Sequence, residues 1–386
     1  ADYGPRIVNH LPDGLTGSVD SLTLTFSEPI DPVSLTADDV RAAMLTPLKL
    51  ADWSGGMPAS ADSNGLLYAV SSAGLRIYDA ANPAAPILLG ECDTPGTGVD
   101  IVIVDSLAYI ADGSGGFQVV DVSNPADPVV IGSCGTIESA TRVVVSGTRA
   151  YVVVGRSGMQ IIDISSPTTP FVIGNYDNSY NPVYDIAVAG TTVYLAVPYI
   201  LDIVDVSDPA APVRSSTLSY NSETRTACVS GNLLFTAPFS TGLMVYDISN
   251  PVDPHLLGQC STGRWEHDIT AAGNMVYLAS ESGLQTVDVQ DTSAPVLLST
   301  TGGPGRTNRV SIVGERVYAL GDSYSAVFQL SKPLDIENVV PLDEHSFRLD
   351  LADPLADGRY GIRVGPGVAD NAGNLMDQNA NGLAGE

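Results

Sequence analysis

The stretch GGFQVVDVSNPADPVV, residues 115–130, decides the fold because copies of it recur along the chain. An aspartate ends the apolar run of each copy, and the successive gaps between these aspartates are 42, 42, 42, 42 and 41 residues. The aspartates are Asp79, Asp121, Asp163, Asp205, Asp247 and Asp288. A fixed period of about forty residues predicts a repeat architecture. Because a carboxylate at this place can accept hydrogen bonds from the turn that follows, we expect these aspartates to cap turns.

An aromatic residue gives a second count of the repeats and adds a seventh unit. The aromatics are Tyr68, Tyr109, Tyr151, Tyr194, Phe235, Tyr277 and Tyr318. Each complete unit has four short segments rich in β-branched and aromatic residues, which in one unit read DIVIVDS, LAYIADG, FQVVDV and PVVIGSC. Four short strands separated by Gly, Ser and Pro turns are typical of a propeller blade. Helical periodicity is absent, which excludes helical solenoids of similar period.

The last unit is incomplete, and its missing strand lies ahead of the first unit. Residues 309–331 supply three strands and then stop, whereas PLKLADWSGG from Pro47 aligns with the fourth strands PVLLSTTGG and PHLLGQCSTG. The sequence therefore predicts an all-β, seven-bladed β-propeller over residues 47–332. Its blades have four strands, and an N-terminal outer strand closes the ring, which leaves no open sheet edge.

The two ends of the chain form the second predicted domain. SVDSLTLTFSEPID and HSFRLDLAD alternate apolar and polar residues, as half-buried strands do. SLTADDVRAAM, residues 34–44, fits either a strand or a short helix. Neither end alone can bury a sandwich core, but together they offer about six strands, enough for an Ig-like β-sandwich. We predict one discontinuous sandwich, residues 1–46 plus 333–386, into which the propeller is inserted.

Composition limits the function. Lys and Arg number 17 against 44 Asp and Glu, and the net charge of −27 argues against a nucleic-acid partner. No run of about 18 apolar residues occurs, so we expect no membrane span. Four cysteines are sparse for a disulfide framework, and we interpret them as packing residues while a bridge stays open as an alternative. We expect a monomer or a part of a longer surface polypeptide.

Third-strand runs such as FQVVDVSNPADPV and IIDISSP resemble the LVIVD-type repeat of bacterial cell-surface and secreted proteins. This resemblance implies a β-propeller but indicates almost nothing about activity. LTFSEPIDPVSLTADDV from Leu24 and the stretch from Tyr360 to the end resemble the two halves of a bacterial Ig-like domain. Such domains serve as spacers or adhesive modules, so the resemblance implies a secreted or cell-surface, extracytoplasmic protein.

The residues nine before each aromatic would form a charged ring at the mouth of the propeller channel. They are Asp100, Arg142, Asp185, Thr226, Asp268 and Arg309, with Arg225 beside Thr226. Neighbouring loops add aromatic and charged residues to the same predicted face: Tyr176, Tyr180, Tyr184, Tyr220, Arg264, Trp265, Glu266 and His267. Exposed aromatics among carboxylates and arginines suit stacking on sugars or gripping a peptide. The alternative is a ring of ion pairs that joins the blades.

A second candidate site lies in the C-terminal tail. Asp377, Asn379, Asn381 and Gly382 form a D-x-N-x-N-G run, in which oxygen side chains alternate and glycine permits a tight turn. Asp370 and Glu386 could add carboxylates, and the set would suit Ca²⁺. The alternative is an Asn/Gly turn without a metal. No other cofactor is expected.

The sequence thus predicts a non-catalytic extracellular interaction or adhesion module that binds a protein or a glycan through the propeller face. A polysaccharide hydrolase or lyase is the runner-up, because His267 beside Glu266 and Asp268 could act as a base with a partner. No motif-spaced nucleophile accompanies them. A purely structural spacer of a surface protein is the third possibility.

Overall fold

The fold is all-β. The computed structural model describes residues 7–11, 19–26, 29–36, 40–44, 49–54, 59–63, 65–82, 85–178, 182–263, 265–301, 306–313, 316–321, 324–330, 333–334, 336–355 and 360–364. These residues form 35 β-strands and no helix, which confirms the predicted class. None of the described segments is therefore a helix with the length and apolar character to cross a membrane.

The chain folds into two compact units. Unit 1 combines Ala1–Pro47 with Ser331–Glu386, and unit 2 is Leu48–Leu330. Unit 1 is therefore built from both ends of the chain. Unit 2 holds the repeats.

Unit 2 contains seven four-stranded antiparallel sheets within the described residues. Sheet 1 is β5 (Ala59–Ser63), β6 (Leu66–Ser71), β7 (Gly74–Asp79) and β8 (Ile87–Cys92), and sheet 2 is β9 (Asp100–Val104), β10 (Leu107–Ala111), β11 (Phe117–Asp121) and β12 (Val129–Cys134). Sheet 3 is β13 (Ala140–Ser146), β14 (Arg149–Val154), β15 (Met159–Asp163) and β16 (Phe171–Tyr176), and sheet 4 is β17 (Asp185–Ala189), β18 (Thr192–Val197), β19 (Ile200–Asp205) and β20 (Val213–Ser219). Sheet 5 is β21 (Cys228–Ser230), β22 (Leu233–Thr236), β23 (Leu243–Asp247) and β24 (His255–Cys260), and sheet 6 is β25 (Glu266–Ala272), β26 (Met275–Ser280), β27 (Gly283–Asp288) and β28 (Val296–Thr301). In these six sheets every strand pairs with its neighbour in sequence.

Sheet 7 draws its fourth strand from ahead of sheet 1. Its strands are β29 (Arg309–Val313), β30 (Arg316–Leu320), β31 (Tyr324–Gln329) and β4 (Lys49–Ser54). β4 runs antiparallel to β31, with Ala51 opposite Val327 and Asp52 opposite Ala326. This is the pairing that the incomplete last repeat predicts.

The first strands of the seven sheets contact one another in a closed cycle. The order of contact is β5, β9, β13, β17, β21, β25, β29 and back to β5. An arginine hydrogen bond that joins sheets 3 and 4 is found again between sheets 7 and 1. Arg149 of sheet 3 donates to the carbonyl of Val206 in sheet 4 at 3.3 Å, and Arg316, at the same repeat position in sheet 7, donates to the carbonyls of Ala80 and Ala81 in sheet 1.

The apolar core of unit 2 lies between neighbouring sheets. The repeated aromatics Tyr151, Tyr194, Tyr277 and Tyr318 are among its largest fully buried side chains. At the closing contact, Leu67 of sheet 1 packs in one cluster with Tyr318 and Val327 of sheet 7. Burial of such large apolar side chains between sheets is the main stabilising term of this unit. The four cysteines are free thiols and only partly buried: Cys92, Cys134, Cys228 and Cys260.

The aspartates that mark the repeat cap turns, as predicted. In each case an Oδ1 atom accepts the backbone N–H two residues ahead at 2.7–2.9 Å. The six are Asp79, Asp121, Asp163, Asp205, Asp247 and Asp288. This hydrogen bond fixes the exit from the third strand of sheets 1 to 6, so the bend that follows begins at the same place in each of these repeats.

In four sheets a glycine in the fourth strand lets the following sheet approach closely; in sheets 4, 6 and 7 this position is occupied by Ser216, Ser299 and Ala51. A Cβ atom built on Gly174 of sheet 3 would lie 1.9 Å from the carbonyl oxygen of Pro209, in the turn of sheet 4. Gly90, Gly132 and Gly258 meet the equivalent turn of the following sheet in the same way, at 2.1–2.4 Å. Only a residue without a side chain permits this approach.

Unit 1 has two sheets in its described residues. One has the order β1 (Ile7–Leu11), β2 (Val19–Phe26), β34 (Ser346–Leu355) and β33 (Ile336–Pro341), and the other has the order β32 (Pro333–Leu334), β3 (Val40–Met44) and β35 (Tyr360–Val364). β2 and β34 pair although they come from opposite ends of the chain. Phe26 and Phe347 are buried there in an edge-to-face contact with ring centroids 5.9 Å apart. Of the two alternatives for residues 34–44, β3 is a strand.

Candidate functional site

The predicted charged ring lines a cavity of about 360 Å³ in unit 2, which we name the channel cavity. Six first strands, from β9 to β29, contribute to its wall. Five of the six predicted ring residues line it: Asp100, Arg142, Asp185, Asp268 and Arg309. The sixth, Thr226, is buried, and its hydroxyl accepts the N–H of Ala237 at 3.0 Å.

The ring residues form ion pairs and also join the sheets. Arg142 Nε lies 3.3 Å from Asp185 Oδ1, and Arg309 Nη1 lies 3.4 Å from Asp100 Oδ1. The Oδ2 atom of each aspartate accepts a backbone N–H from the sheet that follows, at 2.9 Å. The donors are Val143 for Asp100, Ala227 for Asp185 and Val310 for Asp268. These carboxylates therefore have a structural role as well as their position at the cavity.

Charge is unbalanced within the channel cavity. Three carboxylates face two guanidinium groups, so full ionisation would leave one negative charge in a buried place. Burial raises the pKa of Asp185 to about 6 against the opposing effect of Arg142, and burial also raises the pKa of Asp268. Protonation of one carboxyl group, which these raised pKa values favour, would remove the excess negative charge.

A second cavity, of about 380 Å³, adjoins the first, and we name it the mouth cavity. The two cavities share Arg142, Arg309 and Leu320 as lining residues, so the two arginines lie between them. The polar residues of the mouth cavity are Arg142, Tyr184, Arg225, His267, Arg306, Asn308 and Arg309. No Asp or Glu is among the described residues that line it. The carboxylates lie on the channel side, and the mouth side presents guanidinium groups.

An aromatic and arginine stack stands beside the mouth cavity. The guanidinium carbon of Arg225 lies 4.8 Å from the ring centroid of Tyr184 and 5.2 Å from that of Phe239. Phe239 in turn contacts Trp265, with centroids 4.7 Å apart. Cation–π contacts of this kind hold a guanidinium in one plane. The Trp265 side chain is 48% exposed, and its backbone has a φ of 71°, which is rare for a residue with a side chain.

His267 and Arg306 form a second polar group at the mouth. Arg306 Nη2 lies 3.3 Å from His267 Nδ1, and Glu281 Oε1 lies 3.2 Å from His267 Nε2. Because a guanidinium only donates, Nδ1 accepts, and the ring proton is on Nε2, where it is donated to Glu281. Burial and the charge of Arg306 lower the pKa of His267, so the ring is neutral at pH 7.

Six segments of the sequence match the LVIVD repeat: residues 63–94, 95–136, 138–178, 182–220, 223–262 and 264–301. Together they cover more than half of the chain. The chain belongs to the LVIVD repeat family. No curated protein matches the sequence of this LVIVD-repeat protein.

Several solved structures are similar in fold. A chain of a mitotic checkpoint complex has a TM-score of 0.60 at 10% identity, and the match covers 74% of this chain and 96% of that one. Saccharomyces cerevisiae Sqt1 has a TM-score of 0.55 at 9% identity, covering 74% and 99%. The computationally designed Ika8 protein has a TM-score of 0.54 at 12% identity, covering 75% and 100%. Identities this low show likeness of fold alone.

Three of the predicted face residues lie away from the mouth cavity. Tyr176 is buried, and its hydroxyl lies 3.0 Å from Asp202 Oδ2. Tyr220 is outside the described lining and accepts a hydrogen bond from Thr236 at 3.3 Å. Glu266 is fully buried, and its Oε1 accepts the hydroxyl of Thr262 at 2.6 Å.

Other predicted site residues lie outside the described residues, so their roles stay predictions. They are Tyr180 and Arg264 of the face, and Asp370, Asp377, Asn379, Asn381 and Glu386 of the calcium site. Over the described ranges, no group of three or more His, Cys, Asp or Glu residues is arranged to hold a metal ion.

Sequence reasoning missed Arg306, Asn308 and Phe239. Asn308 could have been predicted from its position in the repeat. Each residue of the charged ring is preceded by a residue that lies ten positions before the repeated aromatic. Five of these residues line the mouth cavity: Val99, Tyr184, Arg225, His267 and Asn308. Phe239 carried no such signal, because its place beside Arg225 depends on the loop after β22.

Proposed function

We propose that unit 2 is a seven-bladed β-propeller, closed by β4 and inserted in an Ig-like sandwich formed by residues 1–46 and 333–386. Support comes from the seven four-stranded sheets and from the cyclic contacts of their first strands. The pairing of β2 with β34 supports a sandwich formed from both chain ends. The sequence resemblance supports a secreted or cell-surface setting for the protein.

The function proposed for the propeller is non-catalytic binding of a protein or a glycan at the mouth cavity. One observation carries this proposal: a cavity of about 380 Å³ has four arginines in its described lining, and Phe239 links one of them, Arg225, to a half-exposed tryptophan in a strained backbone conformation. Concave sites of about 300–1,000 Å³ with convergent polar groups are the usual places for ligands. Strain of this kind is concentrated at functional sites.

The geometry favours binding over hydrolysis. An acid–base mechanism at this place would use Glu266 and His267. The Glu266 carboxyl is fully buried and bonded to Thr262, while His267 accepts from Arg306 on one ring nitrogen and donates to Glu281 with the other. The two side chains therefore do not form an acid–base pair that faces the mouth cavity.

Glycan and peptide arrays test the proposal. We expect the wild-type protein to bind a subset of one array and Trp265→Ala to lower that signal at least about tenfold, because an aromatic anchor at a binding site contributes 2 kcal/mol or more. Phe171→Ala is the matched control, since Phe171 is an exposed aromatic on a fourth strand, 55% exposed, away from the mouth. Equal array signals for wild type and Trp265→Ala would exclude this site, and an empty wild-type array would favour a spacer.

A further inference from the structure

We infer that the mouth cavity binds the carboxylate-bearing terminal sugar of a short acidic glycan, a uronate. The inference rests on the proposed function and names the ligand chemistry of the same site. It is carried by the charge of the cavity wall, by the stack beside it and by the size of the cavity.

The wall of the mouth cavity is rich in guanidinium donors and has no carboxylate among its described lining residues. Four of the chain's 17 Lys and Arg residues line it, in a protein whose net charge is −27. Asp100 and Asp185, the partners of two of these arginines, line the channel cavity and not the mouth cavity. Guanidinium groups only donate, and a carboxylate only accepts, often through two parallel bonds.

Two of the arginines are accessible from the mouth. The Arg306 side chain is 46% exposed, with Nε 3.5 Å from Glu281 Oε1. The Arg225 side chain is 29% exposed, with Nε bonded to Glu223 Oε1 at 3.0 Å. In each case the carboxylate partner lies outside the described lining of the mouth cavity. A ligand carboxylate would share these two guanidinium groups with Glu281 and Glu223, both of which bind through Nε.

The stack beside the cavity favours a sugar over a peptide. Trp265, Phe239, Arg225 and Tyr184 follow one another in contact, and Trp265 leaves about half of its side chain exposed. An indole face packs against the C–H face of a pyranose ring, and the neighbouring arginine then reaches the carboxylate of that ring.

The overall charge favours a short ligand. A net charge of −27 disfavours a long polyanion that follows the protein surface, because its carboxylates would come within one Debye length, about 10 Å at 0.1 M salt, of the protein's own carboxylates. A cavity of about 380 Å³ holds the end of a chain. We therefore expect short uronates to bind, and we expect longer uronates to bind with little additional affinity.

Isothermal titration calorimetry provides the test. The probes are trisaccharides of galacturonate, glucuronate and mannuronate, each matched with its carboxyl-reduced neutral form, and a tri-glutamate peptide. We expect at least one acidic trisaccharide to bind about tenfold more tightly than its neutral form, as loss of a charged hydrogen bond predicts. Equal binding of both forms overturns the role of the carboxylate. Binding of tri-glutamate alone overturns the choice of a sugar.

Arg306→Gln and Arg225→Gln locate the carboxylate. We expect the acidic trisaccharide to bind at least one of these variants about tenfold more weakly, while the neutral form is unaffected. Unchanged binding of the acidic trisaccharide to both variants overturns the role of these arginines. Arg76→Gln is the matched control, since Arg76 is 43% exposed, pairs with Glu91 at 3.2 Å and is not among the residues that line the cavity. Far-UV circular dichroism of all three variants checks that each is folded. If no uronate binds while another array ligand depends on Trp265, the carboxylate inference fails and the proposed function stands.

Discussion

At the residue scale, the aspartates of this chain form two groups whose pKa values move in opposite directions. The turn aspartate Asp205 accepts the N–H of Ser207, and that hydrogen bond lowers its pKa. Asp185 in the charged ring has its pKa raised to about 6 by burial. The same residue type therefore has a lowered pKa where it caps a turn and a raised pKa where it is buried in the ring.

We expect carboxyl carbon NMR titration to separate the two groups. Asp185 should titrate near pH 6, and Asp205 should titrate below its unfolded value of about 3.9. By linkage, the contribution of Asp185 to the free energy of unfolding is complete below about pH 4 and is lost as the pH rises through 6. That of Asp205 is present above about pH 4 and is lost as the pH falls through its folded pKa. A midpoint of 4 or lower for Asp185 would contradict the buried charge imbalance.

The turn caps and the charged ring were predictable from the sequence because both repeat in register. Asp100, Asp185 and Arg309 fall at one repeat position, and the structure places them at one cavity. The role of Glu266 was not predictable, because its neighbour His267 lines the mouth cavity while Glu266 itself is buried. Neighbouring residues of a strand face opposite sides, and sequence alone does not say which side faces the cavity.

At the scale of the elements, a fourth-strand glycine permits close approach of the following sheet in four of the seven sheets. We expect Gly174→Ala to lower the free energy of unfolding by about 1–3 kcal/mol, because the added Cβ would overlap the backbone carbonyl of Pro209. Urea unfolding followed by fluorescence measures this loss. Gly135→Ala is the control, since a Cβ there meets nothing within 4 Å. Equal stability of the two variants would show that the sheets are not held this closely.

The strand order of each sheet was predictable from the alternating pattern, as was the completion of sheet 7 by β4. The contact of the fourth-strand glycine was not predictable. A glycine in a strand indicates that another backbone comes close, but it does not indicate which one. The stack of Arg225 on Phe239 was also hidden. Arg225 precedes β21 and Phe239 lies in the loop after β22. The repeat pattern does not indicate that these two positions are in contact.

At the scale of the whole molecule, the proposed ring closes where sheet 7 contacts sheet 1. Arg316 makes the closing hydrogen bonds, and Arg149 makes the equivalent bond between sheets 3 and 4. We expect Arg316→Gln and Arg149→Gln each to lower the free energy of unfolding by about 1–2 kcal/mol within one cooperative transition. Equilibrium urea unfolding followed by circular dichroism and fluorescence checks this. A loss for Arg149→Gln but none for Arg316→Gln would indicate an open ring.

We propose that the mouth cavity holds the ligand of this LVIVD-repeat protein. A crystal structure with the uronate trisaccharide that binds best in solution is the decisive experiment. We expect a terminal sugar ring against Trp265, with its carboxylate within about 3.2 Å of the guanidinium of Arg225 or Arg306. A trisaccharide bound to the outer strands, or bound at the mouth with its carboxylates turned to solvent, would contradict it.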